Sequence, residues 1–336
     1  MLYSLLRPLL FSLNPETAHR VTLNAIENAH RLRLLQGHPI DCKHCNIMGL
    51  DFPNPVGLAA GLDKDGEYIN ALAAFGFGFI EIGTVTPRPQ PGNLKPRLFR
   101  IPQASAMINR LGFNNCGADK LVENVKHTNY QGILGINIGK NFDTPMEKAA
   151  DDYLMCLRKV YYYASYIVVN ISSPNTPNLR QLQNTEELDD LLGALKLEHN
   201  KLADECGKYT PLVVKIGPDL EITQIVSIAT LLMKHKIDGV IATNSTFSRI
   251  GIEHLPHSSE TGGLSGAPLT KHATTVIRHL HGVLQGAVPI IGVGGIMCAI
   301  DAKEKMDAGA NLVQIYTGLI YRGPELVREA VQAVCK

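Results

Sequence analysis

From residue 55 onward the chain alternates short apolar or β-branched runs with segments whose apolar residues recur at helical spacing. The runs are PVGLAAG (55–61), FGFIEIGT (77–84), ILGINIG (133–139), YIVVNISS (166–173), LVVKIG (212–217), GVIATNS (239–245), IIGVGG (290–295) and LVQIYTG (312–318). Between them lie segments such as GEYINALAAFG, ADKLVENVKH, TEELDDLLGALKLEHNKLADE, EITQIVSIATLLMKH and DAKEKMDAGA, which carry the helical period. Strands alternating with helices predict parallel pairing through right-handed crossovers. A closed (β/α)8 TIM barrel is the simplest α/β arrangement. A doubly wound open sheet is the alternative, although no GxGxxG follows the first run.

The pattern upstream is different. MLYSLLRPLLFSL is apolar on nearly every side, is interrupted by Arg7 and Pro8, and at 13 residues falls short of a bilayer span. It lacks the basic start, unbroken apolar stretch and small-residue cleavage site of a signal peptide. In the following NPETAHR, Asn14 can cap, Pro15 suits the first helical position and Glu16 the first turn. Val21, Ala25, Ala29 and Leu32 then share one face. Two short helices therefore precede the barrel, dividing the chain into 1–38 and 39–336. They form either a lid packed on the core or on another subunit, or a foot whose apolar face enters the lipid interface. CKHCNIMGLDFPNP (42–55) between the two parts has the pattern of a surface β-hairpin.

Composition narrows the chemistry. The 336 residues are 45% hydrophobic and 19% charged, enough to bury a sizeable core. Lys+Arg of 32 against Asp+Glu of 31 leaves a net charge of +1, so no global field draws the chain to nucleic acid. Seven scattered cysteines fit a reducing compartment better than a disulfide framework. Cys42 and Cys45, flanked by His38 and His44, lack the second pair that a zinc site would need. The 12 histidines form no ligand set, so no metal is expected.

Nearly every strand run ends in groups that an apolar core would not choose: Asp63 and Lys64, Thr84, Asn137, Asn170, Lys215, and Thr243 with Asn244. One such residue is ordinarily a helix cap, but in a barrel these ends converge on the rim that carries active sites. GVGGI (292–296) and YTGLIYRGP (316–324) follow the last two strands, where barrels bind phosphate, and TGGLSGAP (261–268) adds a third glycine-rich approach. Together they predict a phosphate-bearing cofactor across the rim.

GLAAGLDKDGE, IEIGTVTPRPQPGNLKPRLFR, INRLGFNN, GINIGKN, VNISSPNTPNLRQLQ, VKIGPDL, GVIATNSTFSR, ETGGLSGAPL and GVGGI, in this order, resemble dihydroorotate dehydrogenase of the class 2, quinone-linked, membrane-associated branch. The likeness runs from the amino-terminal helices to about Arg322. It implies an FMN flavoprotein that oxidises (S)-dihydroorotate to orotate in pyrimidine synthesis, with a membrane quinone as co-substrate. By similarity, FMN contacts Ala60, Gly61, Lys64, Thr84, Asn137, Asn170, Lys215, Thr243, Gly266, Gly295, Tyr316 and Thr317. Lys215 has an added physical reason, because reduced flavin carries negative charge that a lysine stabilises. Substrate is assigned to Lys64, Asn109, Arg110, Leu111, Gly112, Phe113, Asn170, Asn175, Asn244 and Ser245, a set that matches ring amides and one carboxylate.

The same resemblance places the catalytic base at the second serine of NISSPN, Ser173, where class 1 members carry cysteine. Serine is a poor base at neutral pH, so Thr176 is expected to relay the proton through a water, with Phe113 shielding the site. Ser172 and Ser173 could equally cap a loop, but the neighbouring Asn170 and Asn175 favour chemistry. Cys116 reads as packing.

In class 2 the two helices form an apolar quinone tunnel, and His19, Arg100 and Tyr316 match its inner end. The expected partners are dihydroorotate and orotate, quinone, and a bilayer surface met by residues 1–35, with no nucleic acid and a monomeric chain. The expected location is the cytoplasmic face of a bacterial inner membrane, or the mitochondrial inner membrane for a processed chain. Two rivals from other classes are a flavin barrel reducing a base in RNA, which predicts a basic surface, and a non-catalytic flavin- or phosphate-binding scaffold.

Overall fold

The computed structural model describes residues 2–35, 37, 40–176 and 178–335; His38 and Pro177 lie outside the described residues. Among the described residues, thirteen strands follow in chain order: β1 (Cys45–Ile47), β2 (Leu50–Phe52), β3 (Val56–Leu58), β4 (Phe79–Val85), β5 (Leu98–Ile101), β6 (Ala106–Asn109) and β7 (Ile133–Ile138), then β8 (Tyr166–Asn170), β9 (Leu212–Ile216), β10 (Gly239–Ala242), β11 (Gly263–Gly266), β12 (Ile290–Val293) and β13 (Leu312–Ile315). The eight runs read from the sequence are β3, β4, β7, β8, β9, β10, β12 and β13. They close a parallel barrel in that order, sealed where Val313 of β13 pairs with Val56 of β3. The open-sheet alternative falls away.

Period-2 alternation sends one face of each strand into the barrel and the other toward the helices. Phe79, Tyr166, Val168, Val213, Ile241, Ile291 and Leu312 fill the interior. Phe79 and Tyr166 are large for that space, and the barrel makes room with bare backbone. A Cβ at Gly57 would lie 2.3 Å from the Phe79 ring, and one at Gly135 would lie 2.2 Å from that of Tyr166. The expected hairpin is β1–β2, turned at Met48 and Gly49 with φ of 55° and 74°. Its Phe52 packs edge-on against Phe79 at 5.2 Å and stops the amino-terminal end of the barrel.

The named helical segments are realised as Ile69–Ala73, Ala118–Lys126, Thr185–Cys206, Ile222–Lys234 and Ala299–Asp307, joined by Ala149–Val160, Thr270–Leu284, Thr317–Arg322 and Glu325–Val334. A three-stranded antiparallel sheet, β11–β6–β5, stands over the rim. It was not anticipated, because β11 pairs with β6 across more than half the barrel and neither strand alternates cleanly.

The amino-terminal helices are α1 (Leu2–Ser12) and α2 (Pro15–Arg31). Asn14 caps α2, its Oδ1 accepting from the Glu16 and Thr17 N–H groups at 3.0 and 3.4 Å. Ala18 and Leu23 are the buried residues of α2, while Val21, Ala25 and Leu32 face solvent. The predicted apolar stripe is therefore not the face that packs on the barrel. On α1, the Tyr3 hydroxyl donates to the Ile320 carbonyl (2.5 Å), and Arg7 donates to that of Tyr321 (2.9 Å). These contacts leave Leu5, Leu6, Leu9 and Leu13 exposed, Leu5 to 77%. Among the described residues, no helix is long and apolar enough to cross a membrane.

Cys42 and Cys335 form a disulfide with a Cα–Cα distance of 5.3 Å, contrary to the expectation of reduced thiols throughout. Position in sequence hides this pair, because only the closed barrel brings the segment before the hairpin against the last helix. His44 pairs with Asp51 at 2.8 Å. Among the described residues, no group of three or more His, Cys, Asp or Glu is placed to hold a metal ion.

Candidate active site

The carboxyl ends of the barrel strands open into a cavity that is continuous with solvent. Ala60, Gly61, Lys64, Thr84, Asn109, Leu111, Gly112, Phe113, Asn170, Ser173, Asn175, Lys215, Thr243, Asn244, Ser245, Gly266, Gly295, Tyr316 and Thr317, all expected from the sequence, line it. Two expected residues do not. Arg110 turns away from its neighbours, pairs with Glu260 at 2.7 Å and lies over the Phe99 ring at 4.7 Å. Asn137 is fully buried behind the wall, where its amide holds other site residues in place. Ala59, Pro174, Ser265, Leu269, Val293, Gly294, Ile296, Gln314 and Gly318 complete the lining.

The floor is organised by Glu81, which sequence reading passed over. It is fully buried on the inward face of β4, two residues above Phe79. Its carboxylate accepts from Asn137 Nδ2 (2.9 Å), Gln314 Nε2 (2.5 Å) and the Tyr166 hydroxyl (3.2 Å), and lies 3.9 Å from Lys215 Nζ. A single carboxylate inside FIEIG was the signal available. Burial pulls the Lys215 pKa below its ordinary value, and the Glu81 charge opposes that shift. Thr84 donates to Asn137 Oδ1 at 2.6 Å, and Asn170 Nδ2 donates to Thr84 Oγ1 at 3.0 Å. The strand ends thus form one connected polar floor.

Beyond β8 the chain carries Ser172 and Ser173 in different roles. Ser172 is fully buried and donates to Asn170 Oδ1 at 3.2 Å, while accepting from Asn244 Nδ2 at 3.1 Å. Ser173 instead faces the cavity, and its Oγ accepts from the Asn175 N–H at 3.3 Å. Asn175 Nδ2 donates to Asn109 Oδ1 at 3.0 Å, yet its Oδ1 is buried with no partner, as are Gln314 Oε1 and Thr176 Oγ1. Leaving a buried polar atom unpaired costs about 1–3 kcal/mol, so Asn175 and Gln314, which line the cavity, suit a ligand with N–H donors.

At the far side, Gly266, Gly294 and Gly295 have φ of 98°, 117° and 73°, and a Cβ at Gly295 would come within 2.4 Å of the Thr270 nitrogen. Only glycine fits, so bare backbone forms this wall, as phosphate-binding turns require. Thr317 Oγ1 donates to Ser265 Oγ at 2.9 Å beside it. The residues present therefore fit a flavin mononucleotide: a glycine cradle for phosphate, amide groups for ring edges and a lysine for developing charge.

A second cavity, also open to solvent, lies under α2 and shares Gly61, Lys64, Leu111 and Tyr316 with the first. Its wall includes Glu16, His19, Arg20, Asp63, Asp65, Glu67 and Lys95, so it is polar where an apolar tunnel was expected. Leu23, Leu62, Leu98 and Leu111 also line it, whereas the exposed Leu5, Leu6, Leu9 and Leu13 do not. Burial, reinforced by the Lys64 charge, lowers the His19 pKa to about 4, and burial lowers that of Lys64 to about 8. Arg100 lines neither cavity. It donates to the Leu10 and Leu13 carbonyls and lies over the Phe11 ring at 4.6 Å, ending α1.

Comparison with known proteins agrees with this architecture. A family model described as dihydroorotate dehydrogenase matches residues 43–335. "Dihydroorotate dehydrogenase (quinone)" of Nitrosospira multiformis is 70% identical over 335 residues, covering 100% of this chain and 96% of that one. The protein of the same name from Nitrosomonas europaea is 66% identical, covering 100% and 98%. Among solved structures, DHODH of Eimeria tenella in complex with ferulenol superposes with a TM-score of 0.87 at 36% identity, covering 95% of this chain and 90% of that one.

The Glu81–Lys215 arrangement makes a quantitative prediction. Glu81→Ala leaves an uncompensated buried ammonium and is expected to lower unfolding free energy by about 3–5 kcal/mol in urea titration. Combining it with Lys215→Met should cost clearly less than the sum of the single variants. Additive losses would mean that the two groups are energetically independent.

Proposed function

The chain belongs to the dihydroorotate dehydrogenase family, and from that premise we propose that it oxidises (S)-dihydroorotate to orotate, with one bound FMN and a membrane quinone as final acceptor, in pyrimidine biosynthesis. The observation that carries the assignment is the juxtaposition of Ser173 with the unpartnered Oδ1 of Asn175 at the cavity wall. An acceptor there suits a ring N–H of the substrate, and the Lys64 ammonium suits its carboxylate. When bound, FMN would accept the hydride from C6 and pass its electron pair on to quinone.

Ser173 removes the C5 proton. Its hydroxyl needs an outlet, and the buried, unpartnered Thr176 Oγ1 supports a relay through water. Phe113, 6% exposed at the cavity wall, keeps bulk water from the base. Asn109, Asn170, Asn244 and Ser245 orient the ring, while Thr84, Thr243, Tyr316 and Thr317 hold the cofactor side. Lys215 stabilises negative charge on the reduced cofactor, with the Glu81 charge opposing the loss of the lysine's proton that burial favours.

Residues 1–38 form an extension packed on the barrel of 39–336, and residues 1–35 rest on a bilayer surface. The exposed Leu5, Leu6, Leu9 and Leu13 support that reading, as does the outward stripe of Val21, Ala25 and Leu32. Quinone enters beneath α2 and meets the cofactor edge near Tyr316, whose ring lies 3.4 Å from where a Gly61 Cβ would be. The protein works as a monomer on the cytoplasmic face of a bacterial inner membrane.

Anaerobic addition of dihydroorotate to the FMN-loaded protein should bleach the flavin absorbance, and Ser173→Ala should slow bleaching by orders of magnitude while retaining FMN. Bleaching at the normal rate in that variant would remove Ser173 from the base role.

Lys64 sets a pH dependence. Its ammonium persists below a pKa of about 8 and is lost above it, so orotate affinity should be flat below about pH 8. Above that it should weaken by about tenfold per unit until the pKa of the complex is reached. Lys64→Met should be weak and flat throughout. A wild-type profile without a break would separate Lys64 from the carboxylate.

Leu5→Asp with Leu9→Asp should abolish co-sedimentation with phospholipid vesicles and leave flavin bleaching intact. Unchanged co-sedimentation would take the membrane contact away from α1.

A further inference from the structure

The turn that carries Ser173 is held by residues outside the cavity. Asn175 is held on three sides: its N–H donates to Ser173 Oγ, its Nδ2 to Asn109, and its carbonyl accepts from Asn93 Nδ2 at 3.2 Å. The same Asn93 amide donates to the Arg110 carbonyl at 2.9 Å, and the Asn93 N–H donates to that of Leu111 at 3.1 Å. One side chain therefore staples the Ser173 turn to the Asn109–Phe113 wall. Gly112 permits the approach, since a Cβ there would lie 2.8 Å from Asn93 Nδ2.

Asn93 is in turn anchored from α2. Arg97, a buried guanidinium, donates to the Pro91 and Asn93 carbonyls at 2.6 and 2.9 Å, and to Glu16 Oε1 at 2.8 Å. Lys95 meets the other Glu16 oxygen at 3.0 Å. Glu16 is in the first turn of α2, so a continuous chain runs Glu16–Arg97–Asn93–Asn175–Ser173.

We propose that Asn93 is a positioning residue for proton removal, and that the Glu16–Arg97 pair ties the placement of Ser173 to the docking of α2. This rests on Ser173 being the base. A serine hydroxyl takes a proton only from a carbon held in line with it, so a turn loosened at the Asn175 carbonyl slows the step without emptying the site. The amino-terminal helices then do more than meet a membrane. Displacing α2 relaxes the active-site turn through this chain of hydrogen bonds and the Glu16–Arg97 ion pair, each modest and together directional.

The test uses the FMN-loaded full chain and two independent readouts. Asn93→Ala should slow anaerobic bleaching at saturating dihydroorotate at least tenfold, with FMN content and thermal midpoint unchanged. Asn93→Ser, which keeps one donor, should recover part of that rate. Without substrate, amide exchange of the segment containing Ser173–Thr176 should accelerate about tenfold in Asn93→Ala and less in Glu16→Gln, with barrel-strand peptides unmoved. Accelerated exchange with wild-type bleaching would overturn the catalytic part, and unmoved exchange would overturn the staple. No response to Glu16→Gln would overturn the link to α2. If wild type itself fails to bleach with dihydroorotate, the substrate assignment fails, and exchange still decides whether Asn93 holds the turn.

Discussion

A carboxylate buried inside the barrel, Glu81, is the constraint around which the site is arranged. Removing a charge from water is costly, so it must be met by an opposite charge and by hydrogen-bond donors. Lys215, Asn137, Gln314 and Tyr166 meet it from four other strands, and each is thereby committed to one orientation. Asn137 then fixes Thr84, and Thr84 fixes Asn170, so the polar floor inherits its geometry from a single group below it. A half-satisfied version of this network would be worse than an apolar core.

Above the floor, the same logic operates through backbone. Asn170, Asn175 and Asn244 spend their donors on neighbours, and of their amide oxygens that of Asn175 alone is without a partner, so the wall is prearranged before any ligand arrives. Strand ends and the turns that follow them carry both the groups proposed to hold cofactor and those proposed to act on substrate. The two cavities share Lys64 and Tyr316, so charge on one side is felt on the other. The depressed pKa of His19 is one sign of this: the Lys64 charge adds to burial in keeping the ring neutral.

The eight barrel strands, the two leading helices and the hairpin were legible because each is a local pattern: alternation, helical spacing, a cap at Asn14, a tight turn at Met48–Gly49. The residues at the strand ends were legible because polar groups at the end of an apolar run have no other use in a packed barrel. The distinction between the two serines was not local. Ser172 and Ser173 differ only in where the turn points them, one into the Asn170–Asn244 network and one into the cavity.

By its own pattern, then, the sequence determined eight strands alternating with helices and the polar groups at their ends, leaving closed barrel and open sheet both possible, since periodicity and turn residues act over a few positions. Tertiary structure alone decided which side chains share a charge, which face of α2 packs, that β11 joins β6, and that Cys42 reaches Cys335. It also turned Arg110 away from the cavity and made the space under α2 polar. These are distances between residues far apart in the chain, and they come into being only when closure of the barrel sets every strand end against the others.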